Sequence, residues 1–523
     1  MFDRKTLIQS LETTETWDVI VIGGGATGLG VAIDAASRGY KTILLEQVDF
    51  AKGTSSRSTK LVHGGVRYLA QGHIDLVREA LFERGLLRKN ANHLVSDQVF
   101  VIPTFSFWGT WFYTIGLKIY DILSGKLSFG KSTRISKRAT EERLPTLKTE
   151  HLRKGVLYHD GQFDDARLAI NLAQTAIEQG ATVLNHFKVT RLLKNNEGKI
   201  DGVEAKDGET DKSYTLKSKA VINATGVFSD EILHMDNANA KPSIKPSQGV
   251  HLVLDQSFLP SRDAIMIPKT SDGRVLFLVP WHNRVVVGTT DTLLDSHSLE
   301  PHALESEIDF ILRTANNYLS KQVTKKDVLS IYAGLRPLAA PKDESEKTKE
   351  ISRSHKIIVS NSELVTITGG KWTTYRRMAQ DTINKAIALG KLPDAACKTK
   401  DLKIHGSGVE MDETDHFYVY GSDNKALAGL IEAEPELGKK LHPGSEFTKA
   451  EVVWAVRYEM ARTIDDVLAR RVRLLFLDAQ AAIDSAPTVA AILAKELNKD
   501  KTWQDQQVKA FLDIAKNYVL SAS

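Results

Sequence analysis

Three glycines near the N-terminus have the spacing of a site for a nucleotide pyrophosphate. In WDVIVIGGGATGLG, Gly23, Gly25 and Gly28 occupy the G-x-G-x-x-G positions. The first glycine turns the chain, the second lets the backbone approach the phosphates, and the third allows close packing of helix on strand. Glu46 ends the next apolar run, TILLE, where a carboxylate can accept both ribose hydroxyl protons of an adenosine. These four residues predict a dinucleotide site.

The elements that must position these residues can be read from the same stretch. DVIVI is a β-branched run typical of a buried parallel strand, GATGLGVAIDAASRG has helical apolar spacing, and TILLE is a second strand. Together they predict a β-α-β unit. The N-terminus of its helix directs amide donors and the positive end of the helix dipole at the phosphates.

The glycine motif alone does not distinguish NAD from FAD, but two later segments favour FAD. KAVINATGVFSD is an apolar strand that ends in Ala224, Thr225 and Gly226, and it resembles the second nucleotide-contacting element of flavoproteins with two dinucleotide folds. LVTITGGKWTTYRRM is a strand followed by two glycines and a helix, whose first amides could contact the polar edge of a flavin pyrimidine. Gly370 and Thr373 are therefore predicted cofactor residues.

The bulk composition excludes several classes of protein. The chain has 523 residues, 42% of them apolar, and a net charge of +4, which is a globular profile with no indication of nucleic-acid binding. A single cysteine, Cys397, excludes an internal disulfide framework and predicts a reducing compartment. The N-terminal segment lacks the apolar core of a signal peptide, so we expect a cytoplasmic protein. No histidine, cysteine and carboxylate cluster has the spacing of metal ligands.

Several longer motifs follow one another between about residue 17 and about residue 490. They are GGGATGLG, TSSRSTKLVHGGVRYL, YHDGQFDDARL, NATG, VPW, GTTDT, AGLRPL, TGGKWTTYR and ARRVRLLFLDAQAA. Their combination resembles the FAD-dependent sn-glycerol-3-phosphate dehydrogenase family, over nearly the whole chain. The resemblance implies FAD as the cofactor. It also implies oxidation of sn-glycerol 3-phosphate to dihydroxyacetone phosphate, with the electrons passed to a membrane quinone.

Three alternatives stay open at this point. One is a related oxidase that passes electrons to oxygen; those relatives are similar in having a long acidic insertion after the AGLRPL arginine. Only a short charged loop follows Arg336 here, which favours the dehydrogenase. The others are a related flavin amine oxidase with a carboxylate substrate and a flavin-binding regulatory protein without turnover.

The implied reaction needs cations that hold a phosphate dianion and stabilise the developing alkoxide oxygen. Arginine suits the phosphate best, because its planar guanidinium offers paired donors and stays charged. The resemblance places Arg67, Arg336 and Arg353 in substrate-binding motifs, with Tyr68 beside Arg67 as a neutral donor. Lys371 follows two glycines at a helix start and is predicted to reach substrate or flavin. We predict Arg336 and Lys371 to be catalytic.

The reaction also needs a group that accepts the hydroxyl proton. His63 is the first candidate, because a neutral imidazole titrates near working pH and neighbouring cations keep it neutral. His251, in SQGVHLVL, is the second, since its family counterpart also faces the substrate region. Thr290 could contact substrate or close a hairpin, and the hairpin is slightly favoured. Asp164 and Asp165 most simply cap the helix that follows them.

The stretch TSSRSTKLVHGGVRYL, residues 54–69, is predicted to lie between cofactor and substrate. Residues 54–61 offer donors suited to FAD phosphates and ribityl oxygens, while His63, Arg67 and Tyr68 face the substrate. Arg57 has no assigned task and is interpreted as a surface charge. The further predicted cofactor residues are Thr54, Ser55, Thr59, Lys60, Leu61, Gly64, Gly65 and Val189.

The pattern of elements predicts an α/β fold with three parts. These are a Rossmann-like FAD domain with two dinucleotide folds, an interleaved antiparallel substrate-binding sheet, and a C-terminal helical domain. The oxidoreductase region spans residues 17–392 and the helical domain spans residues 400–523. The FAD-binding segments are about 17–66, 155–230 and 355–390, and the substrate-binding segments are about 70–150 and 240–335.

A quinone acceptor would require contact with a bilayer. FSFWGTWFYTIGLKIYDIL is rich in the aromatic residues that favour a membrane interface, and Arg470, Arg471 and Arg473 offer a basic helix elsewhere. The alternatives are core packing for the first and a solvated face for the second. Mainly from the resemblance, we expect peripheral attachment to the inner face of the cell membrane. A homodimer is one alternative for the oligomeric state.

Overall fold

The structure is a computed structural model that describes residues 4–70, 72–271, 273–340, 355–410, 412 and 414–520. In chain order its strands are β1 Trp17–Ile22, β2 Thr42–Leu45, β3 Leu61–Val62, β4 Val95–Thr104, β5 Thr133–Ser136, β6 Lys154–Phe163, β7 Thr182–Leu184, β8 Phe187–Lys194, β9 Ile200–Asp207, β10 Ser213–Asn223, β11 Ile244–Asp255, β12 Ala264–Ile267, β13 Leu276–Trp281, β14 Arg284–Gly288, β15 Thr292–Leu293, β16 Val328–Ala339, β17 His355–Val359 and β18 Val365–Gly369. The α-helices are α1 Arg4–Thr13, α2 Ala26–Ser37, α3 Val66–Ala70, α4 Ile74–Asn90, α5 Phe107–Ser124, α6 Lys137–Arg143, α7 Asp165–Glu178, α8 Ser229–Asp236, α9 Glu305–Tyr318, α10 Tyr375–Ala388, α11 Asn424–Ala433, α12 Lys449–Tyr458, α13 Leu474–Leu477, α14 Ala479–Leu497 and α15 Lys501–Ala515.

The first sheet is built around the β-α-β unit predicted from the glycine motif. Its main strand order is β17-β18-β10-β1-β2-β7, and all of these strands except β17 run parallel. Helix α2, packed between α7 and α10, covers one face of this sheet, and β1 and β2 are almost wholly buried. The carboxyl ends of parallel strands meet at one edge. The residues that directly follow four of the strands are therefore neighbours: Gly23, Glu46, Ala224 and Gly370.

The second sheet is antiparallel, as predicted, in all its pairings but one. Its order is β15-β11-β14-β13-β12-β4-β6-β3, with β16 paired to β11 and β5 paired to β6; only β4 and β12 run parallel. The long β11–β16 pairing places Arg336 opposite Ser247. The sheet also takes in β3 and β6, so residues 61–62 and 154–163 belong here although they fall in the predicted FAD-binding segments.

The C-terminal part of the chain is helical, as predicted. Apolar residues of α12 to α15 share one buried core with Val253, Trp281, Val286 and Tyr332 of the second sheet. The C-terminal helices therefore rest on that sheet. Together the two sheets and these helices confirm the predicted fold class.

The predicted basic surface helix at Arg470, Arg471 and Arg473 is wrong. Each of the three side chains is at most 1% exposed. Asp49, in the loop after β2, accepts hydrogen bonds from Arg470 Nε at 2.5 Å and from Arg471 Nη1 at 2.7 Å. Arg473 forms an ion pair with Asp164 at 2.8 Å. A buried charge needs a partner of opposite sign, and here the partners come from distant parts of the chain.

Arg57 is likewise buried, which contradicts its interpretation as a surface charge. Its guanidinium donates to Glu300 at 2.6 Å and to the Tyr518 hydroxyl group at 3.1 Å. Lys52 Nζ lies 2.5 Å from the same Glu300 carboxylate and 2.7 Å from Asp465. Burial would raise the pKa of Glu300, but Arg57 and Lys52 hold it below its ordinary value. The carboxylate thus joins two cations that flank the turn at residues 54–56.

Helix α5 has a broad apolar face that the rest of the protein leaves uncovered. It begins after Ser106, whose hydroxyl oxygen accepts a hydrogen bond from Gly109 N–H at 3.0 Å. Trp108 is 80% exposed and Phe112 is 64% exposed. Further exposed apolar side chains on the helix are Phe107, Trp111, Ile115, Ile119 and Ile122. Within the described ranges no helix combines the length and apolar character needed to span a bilayer.

Candidate active site

A cavity of about 350 Å³ lies at the carboxyl edge of the first sheet and is closed on another side by β16 of the second. It brings together residues predicted for the cofactor and residues predicted for the substrate. The cofactor set in its lining is Gly23, Gly25, Glu46, Thr54, Ser55, Leu61, Val189, Ala224, Thr225, Gly226, Gly370 and Thr373. The substrate set in its lining is His63, Tyr68, Arg336 and Lys371.

The glycine motif forms a cradle in which side chains would collide with backbone. Gly23 has φ +109°, and a Cβ there would lie 2.7 Å from the carbonyl oxygen of Ala224. A Cβ on Gly28 would lie 1.9 Å from the carbonyl oxygen of Gly23. Gly25 precedes α2, whose first amide, that of Ala26, donates to Ser55 Oγ at 3.0 Å. The backbone therefore lies open at a helix N-terminus, as binding of a pyrophosphate requires.

Glu46 is held at the mouth of this cradle by backbone donors. Gly24 N–H donates to Glu46 Oε2 at 2.6 Å, and Val48 N–H donates to Oε1 at 2.9 Å. Burial raises the pKa of Glu46, although these two hydrogen bonds act in the opposite direction. Each carboxylate oxygen can accept a further hydrogen bond, so the group suits the two hydroxyls of a ribose.

The turn at residues 54–56 is anchored from both sheets. Thr54 Oγ1 donates to the Leu335 carbonyl oxygen of β16 at 2.5 Å. Trp372 Nε1, just after β18, donates to the Ser55 carbonyl oxygen at 2.8 Å. The hydroxyl-rich turn is thus fixed against the cavity, where its polar atoms can reach a phosphate.

The predicted substrate residues in the lining include two cations and a phenol. Lys371 Nζ lies 4.1 Å from the centroid of the Tyr68 ring. Arg336 Nη2 donates to Thr289 Oγ1 at 3.2 Å and to the Thr290 carbonyl oxygen at 3.1 Å. These contacts fix the direction of the guanidinium, and the Asp291 carboxylate lies 3.6 Å from Arg336 Nη1. Such an arrangement can hold an anion with oriented donors.

Lys60 is placed outside the cavity lining. The ammonium group is fully buried, lies 2.7 Å from Asp165 and donates to the Ser56 carbonyl oxygen at 2.8 Å. It also sits over the rings of Trp281 and Tyr332, at 4.8 and 5.4 Å from their centroids. Its position is that of a structural ion pair beneath the turn, and not that of a phosphate ligand.

His251 and Thr59 contact each other away from the lining. Thr59 Oγ1 lies 2.8 Å from His251 Nε2, and the imidazole stacks on Tyr332. Burial, together with the positive charges of Arg336 and Lys60, keeps the pKa of His251 well below its ordinary value. The ring is therefore neutral, but in this structure only His63 of the two candidate bases lines the cavity.

The remaining predicted residues divide into three groups. Thr290 Oγ1 accepts from Val250 N–H at 2.9 Å and donates to Glu307 at 2.8 Å. It lies between β14 and β15, which both pair with β11 and not with each other, so the slightly favoured hairpin prediction is wrong. Gly64 and Gly65 lie next to His63 behind the lining. Arg353 and the side chain of Arg67 lie outside the described residues.

Lys52 and Trp372 line the cavity without having been predicted. Trp372 stands between Lys371 and Thr373 in TGGKWTTYR, so its place in the motif was a usable signal. Lys52 carries no such signal, because nothing in its local sequence separates it from a surface lysine.

Comparison with known proteins agrees with this geometry. Residues 18–376 match the family of FAD dependent oxidoreductases, and residues 360–506 match the C-terminal domain of alpha-glycerophosphate oxidase. The chain is 40% identical to the probable mitochondrial glycerol-3-phosphate dehydrogenase of Caenorhabditis elegans, over 99% of this chain and 75% of that protein. It superposes on the glycerol-3-phosphate dehydrogenase from Bacillus halodurans complexed with FAD with a TM-score of 0.80 and 30% identity, covering 100% of this chain and 99% of that one.

A more distant structure shares the fold alone. It is the L-alpha-glycerophosphate oxidase from Mycoplasma pneumoniae with FAD bound, which has a TM-score of 0.56 and 18% identity, over 71% of this chain and 94% of that one. The cradle, Glu46 and the anchored turn fit FAD, and FAD is the cofactor. The chain therefore belongs to the FAD-dependent glycerol-3-phosphate dehydrogenase family and is an enzyme of this kind.

Proposed function

We propose that the protein oxidises sn-glycerol 3-phosphate to dihydroxyacetone phosphate. The observation that carries this proposal is the shared cavity, in which His63, Tyr68, Arg336 and Lys371 stand beside the dinucleotide cradle. FAD, when bound, accepts a hydride from the carbon that carries the hydroxyl group. The protein residues must hold the phosphate, orient that carbon and accept the hydroxyl proton.

Each of the four cavity residues has a proposed role. Arg336 and Lys371 bind the phosphate dianion and stabilise negative charge on the substrate oxygen, and the Tyr68 hydroxyl group donates a neutral hydrogen bond. The His63 imidazole accepts the hydroxyl proton. Arg67 and Arg353 remain predicted phosphate ligands, and His251 remains the second candidate base.

Anaerobic addition of glycerol 3-phosphate tests the proposal directly. We expect the absorbance of the oxidised flavin to bleach, because substrate oxidation reduces the cofactor. His63→Gln should retain FAD but bleach more slowly by about 10²- to 10⁴-fold, the usual contribution of a general base. Absence of bleaching in the unmodified holoenzyme would favour another substrate or the non-catalytic regulator. Loss of FAD from His63→Gln would assign that residue to cofactor binding instead.

We further propose a membrane quinone as the electron acceptor. The segment between Arg336 and residue 353 is short in this chain. The oxygen-using relatives are similar in having a long acidic insertion at this place, so the difference supports a quinone acceptor. Turnover with glycerol 3-phosphate should reduce a soluble quinone analogue and release little hydrogen peroxide in air. Release of hydrogen peroxide in stoichiometric amounts would identify oxygen, and not a quinone, as the electron acceptor. The assignment of glycerol 3-phosphate as the substrate would not be affected.

We also propose that α5 contacts a bilayer, as a membrane quinone acceptor would require. The helix offers a face of exposed aromatic and branched side chains that includes Trp108, Phe112 and Ile122, the last 77% exposed. Aromatic and apolar side chains of this kind enter the interfacial region of a membrane. Attachment to the inner face of the cell membrane and a homodimer remain predictions. Mitochondrial is part of the names of the relatives, and it describes those proteins and not this chain.

Removing the two most exposed aromatic side chains of α5 should detach the protein from lipid. Burial of each one is worth about 1.5–3 kcal/mol, so Trp108→Ser with Phe112→Ser should weaken binding to phospholipid vesicles by at least about 100-fold. Co-sedimentation with vesicles measures this. Leu512→Ser on α15 is a matched control, because Leu512 is a similarly apolar exposed side chain, 39% exposed, outside α5. Equal co-sedimentation of the α5 variant and the control would exclude α5 as the contact.

A further inference from the structure

Tyr120 joins the exposed helix α5 to the loop that carries His63. Its side chain is 1% exposed, on the inner side of the helix. The hydroxyl oxygen accepts a hydrogen bond from Gly64 N–H at 2.8 Å, and the hydroxyl group donates to Asp160 Oδ2 at 2.8 Å. One side chain therefore connects a helix outside the site to the backbone next to the candidate base.

The backbone at Gly64 depends on this contact. A Cβ on Gly64 would lie 2.4 Å from the Tyr120 hydroxyl oxygen and 2.4 Å from Leu81 Cδ2, so the chain here rests directly on the two side chains. His63, which precedes Gly64, lines the cavity. Gly65 follows with φ +82° and leads into α3, which carries Tyr68. The Gly64 amide is thus the fixed point between two residues of the proposed substrate half.

Asp160 is itself held in place, so that Tyr120 cannot turn freely. Arg84 Nη1 donates to Asp160 Oδ1 at 2.7 Å, and Gly161 N–H donates to the same oxygen at 3.2 Å. The Arg84 guanidinium also lies 4.3 Å from the centroid of the Phe129 ring. Burial and the neighbouring Asp160 carboxylate raise the pKa of Tyr120 well above its ordinary value, and its hydroxyl group stays protonated. The donor and acceptor roles in this chain of contacts are therefore fixed.

We propose that Tyr120 is a positioning residue for the reaction: its hydroxyl group fixes the Gly64 amide and through it the position of His63. This rests on the proposed function, in which His63 accepts the substrate proton. Tyr120 itself lies behind the cavity lining, so its effect on the reaction is exerted through the loop. The expected consequence falls mainly on the chemical step and less on substrate affinity, because Arg336 and Lys371 lie on other elements, β16 and the segment after β18, and of the predicted cationic phosphate ligands only Arg67 follows the same loop.

Tyr120→Phe in the FAD-loaded enzyme tests the proposal, because it removes one hydroxyl group and keeps the ring. Misplacement of a reacting group by about 1 Å can cost about 10²-fold in rate. We expect anaerobic flavin reduction by glycerol 3-phosphate to slow by about 10- to 100-fold, with KM changed by less than about twofold. FAD content and the flavin absorbance spectrum should stay as in the unmodified enzyme.

Tyr113→Phe is the matched control. Tyr113 lies on the same helix, and its hydroxyl group forms no hydrogen bond within the described ranges. Its reduction rate should equal that of the unmodified enzyme. A Tyr120→Phe enzyme that reduces its flavin at the unmodified rate overturns the proposal. A Tyr120→Phe enzyme that loses FAD, or whose melting temperature falls together with its reduction rate, also overturns the proposal, because that result indicates a general structural role. If the unmodified enzyme is not reduced by glycerol 3-phosphate, the proposed function itself fails, and this result is distinguishable from the others.

Discussion

Arg336→Ala should lower kcat/KM for glycerol 3-phosphate by between about 30-fold and several thousand-fold. Removing one member of a desolvated charge pair costs about 2–5 kcal/mol, and about 1.4 kcal/mol corresponds to a factor of ten. The guanidinium is oriented by Thr289 Oγ1 and the Thr290 carbonyl oxygen, so that in the unmodified enzyme little ordering is needed when the phosphate binds. The loss should fall on both KM and kcat if the cation also stabilises the substrate oxygen.

Two further variants make this experiment specific. Arg336→Lys retains the charge but not the planar pair of donors, and we expect an intermediate loss. Arg313→Ala removes an exposed arginine from α9 and should leave the kinetics unchanged. Steady-state assays with a soluble acceptor, combined with FAD content, measure all three. Near-normal kinetics in Arg336→Ala would remove Arg336 from the site.

The largest expected effect on stability is that of Arg471→Ala. Its guanidinium is fully buried and donates to Asp49 through Nη1 at 2.7 Å and Nη2 at 3.0 Å, and to the Glu459 carbonyl oxygen at 2.7 Å. Truncation leaves part of the Asp49 charge buried without its partner, which typically costs about 3–5 kcal/mol. We expect the free energy of unfolding in urea, measured with excess FAD, to fall by that amount.

A surface ion pair provides the contrast. Arg138 pairs with Glu142 at 2.8 Å, but both side chains are largely exposed, so Arg138→Ala should change the free energy of unfolding by less than about 1 kcal/mol. Equal effects of the two substitutions would mean that the buried network contributes no more than a solvated pair. That outcome would contradict the expectation that the buried ion pair of Arg471 with Asp49 stabilises the fold.

The features that were predictable from the sequence are those encoded locally. Gly23, Gly25 and Gly28 lie within six residues of one another, and Glu46 ends the adjacent strand, so strand, turn and helix could be recognised together. The position of Arg336 followed from a motif resemblance. The fold class followed from the same local patterns, because the period of the apolar residues separates buried strands from helices.

The features that could not be predicted depend on partners far along the chain. Arg470 and Arg471 look like an exposed basic run, because the sequence does not reveal that Asp49 faces them. The same holds for Arg57, whose partners Glu300 and Tyr518 are 243 and 461 residues away. Lys60 has the residue type and the sequence neighbourhood of a phosphate ligand, yet its ammonium group forms an ion pair with Asp165. Burial of a charge is set by the tertiary fold, and no local pattern records it.

The ion pairs at Asp49 also have a consequence for the timing of biosynthesis. Asp49 precedes Arg471 by 422 residues. At synthesis rates of about 5–20 residues per second, roughly 20 to 80 seconds pass before its partner exists. Through that interval the loop after β2, which includes the cavity residue Lys52, lacks the C-terminal charges that hold it. The ion pairs that hold this part of the cavity wall can therefore form only after residues 465–471 have been synthesised, so we expect firm retention of the cofactor to follow that step.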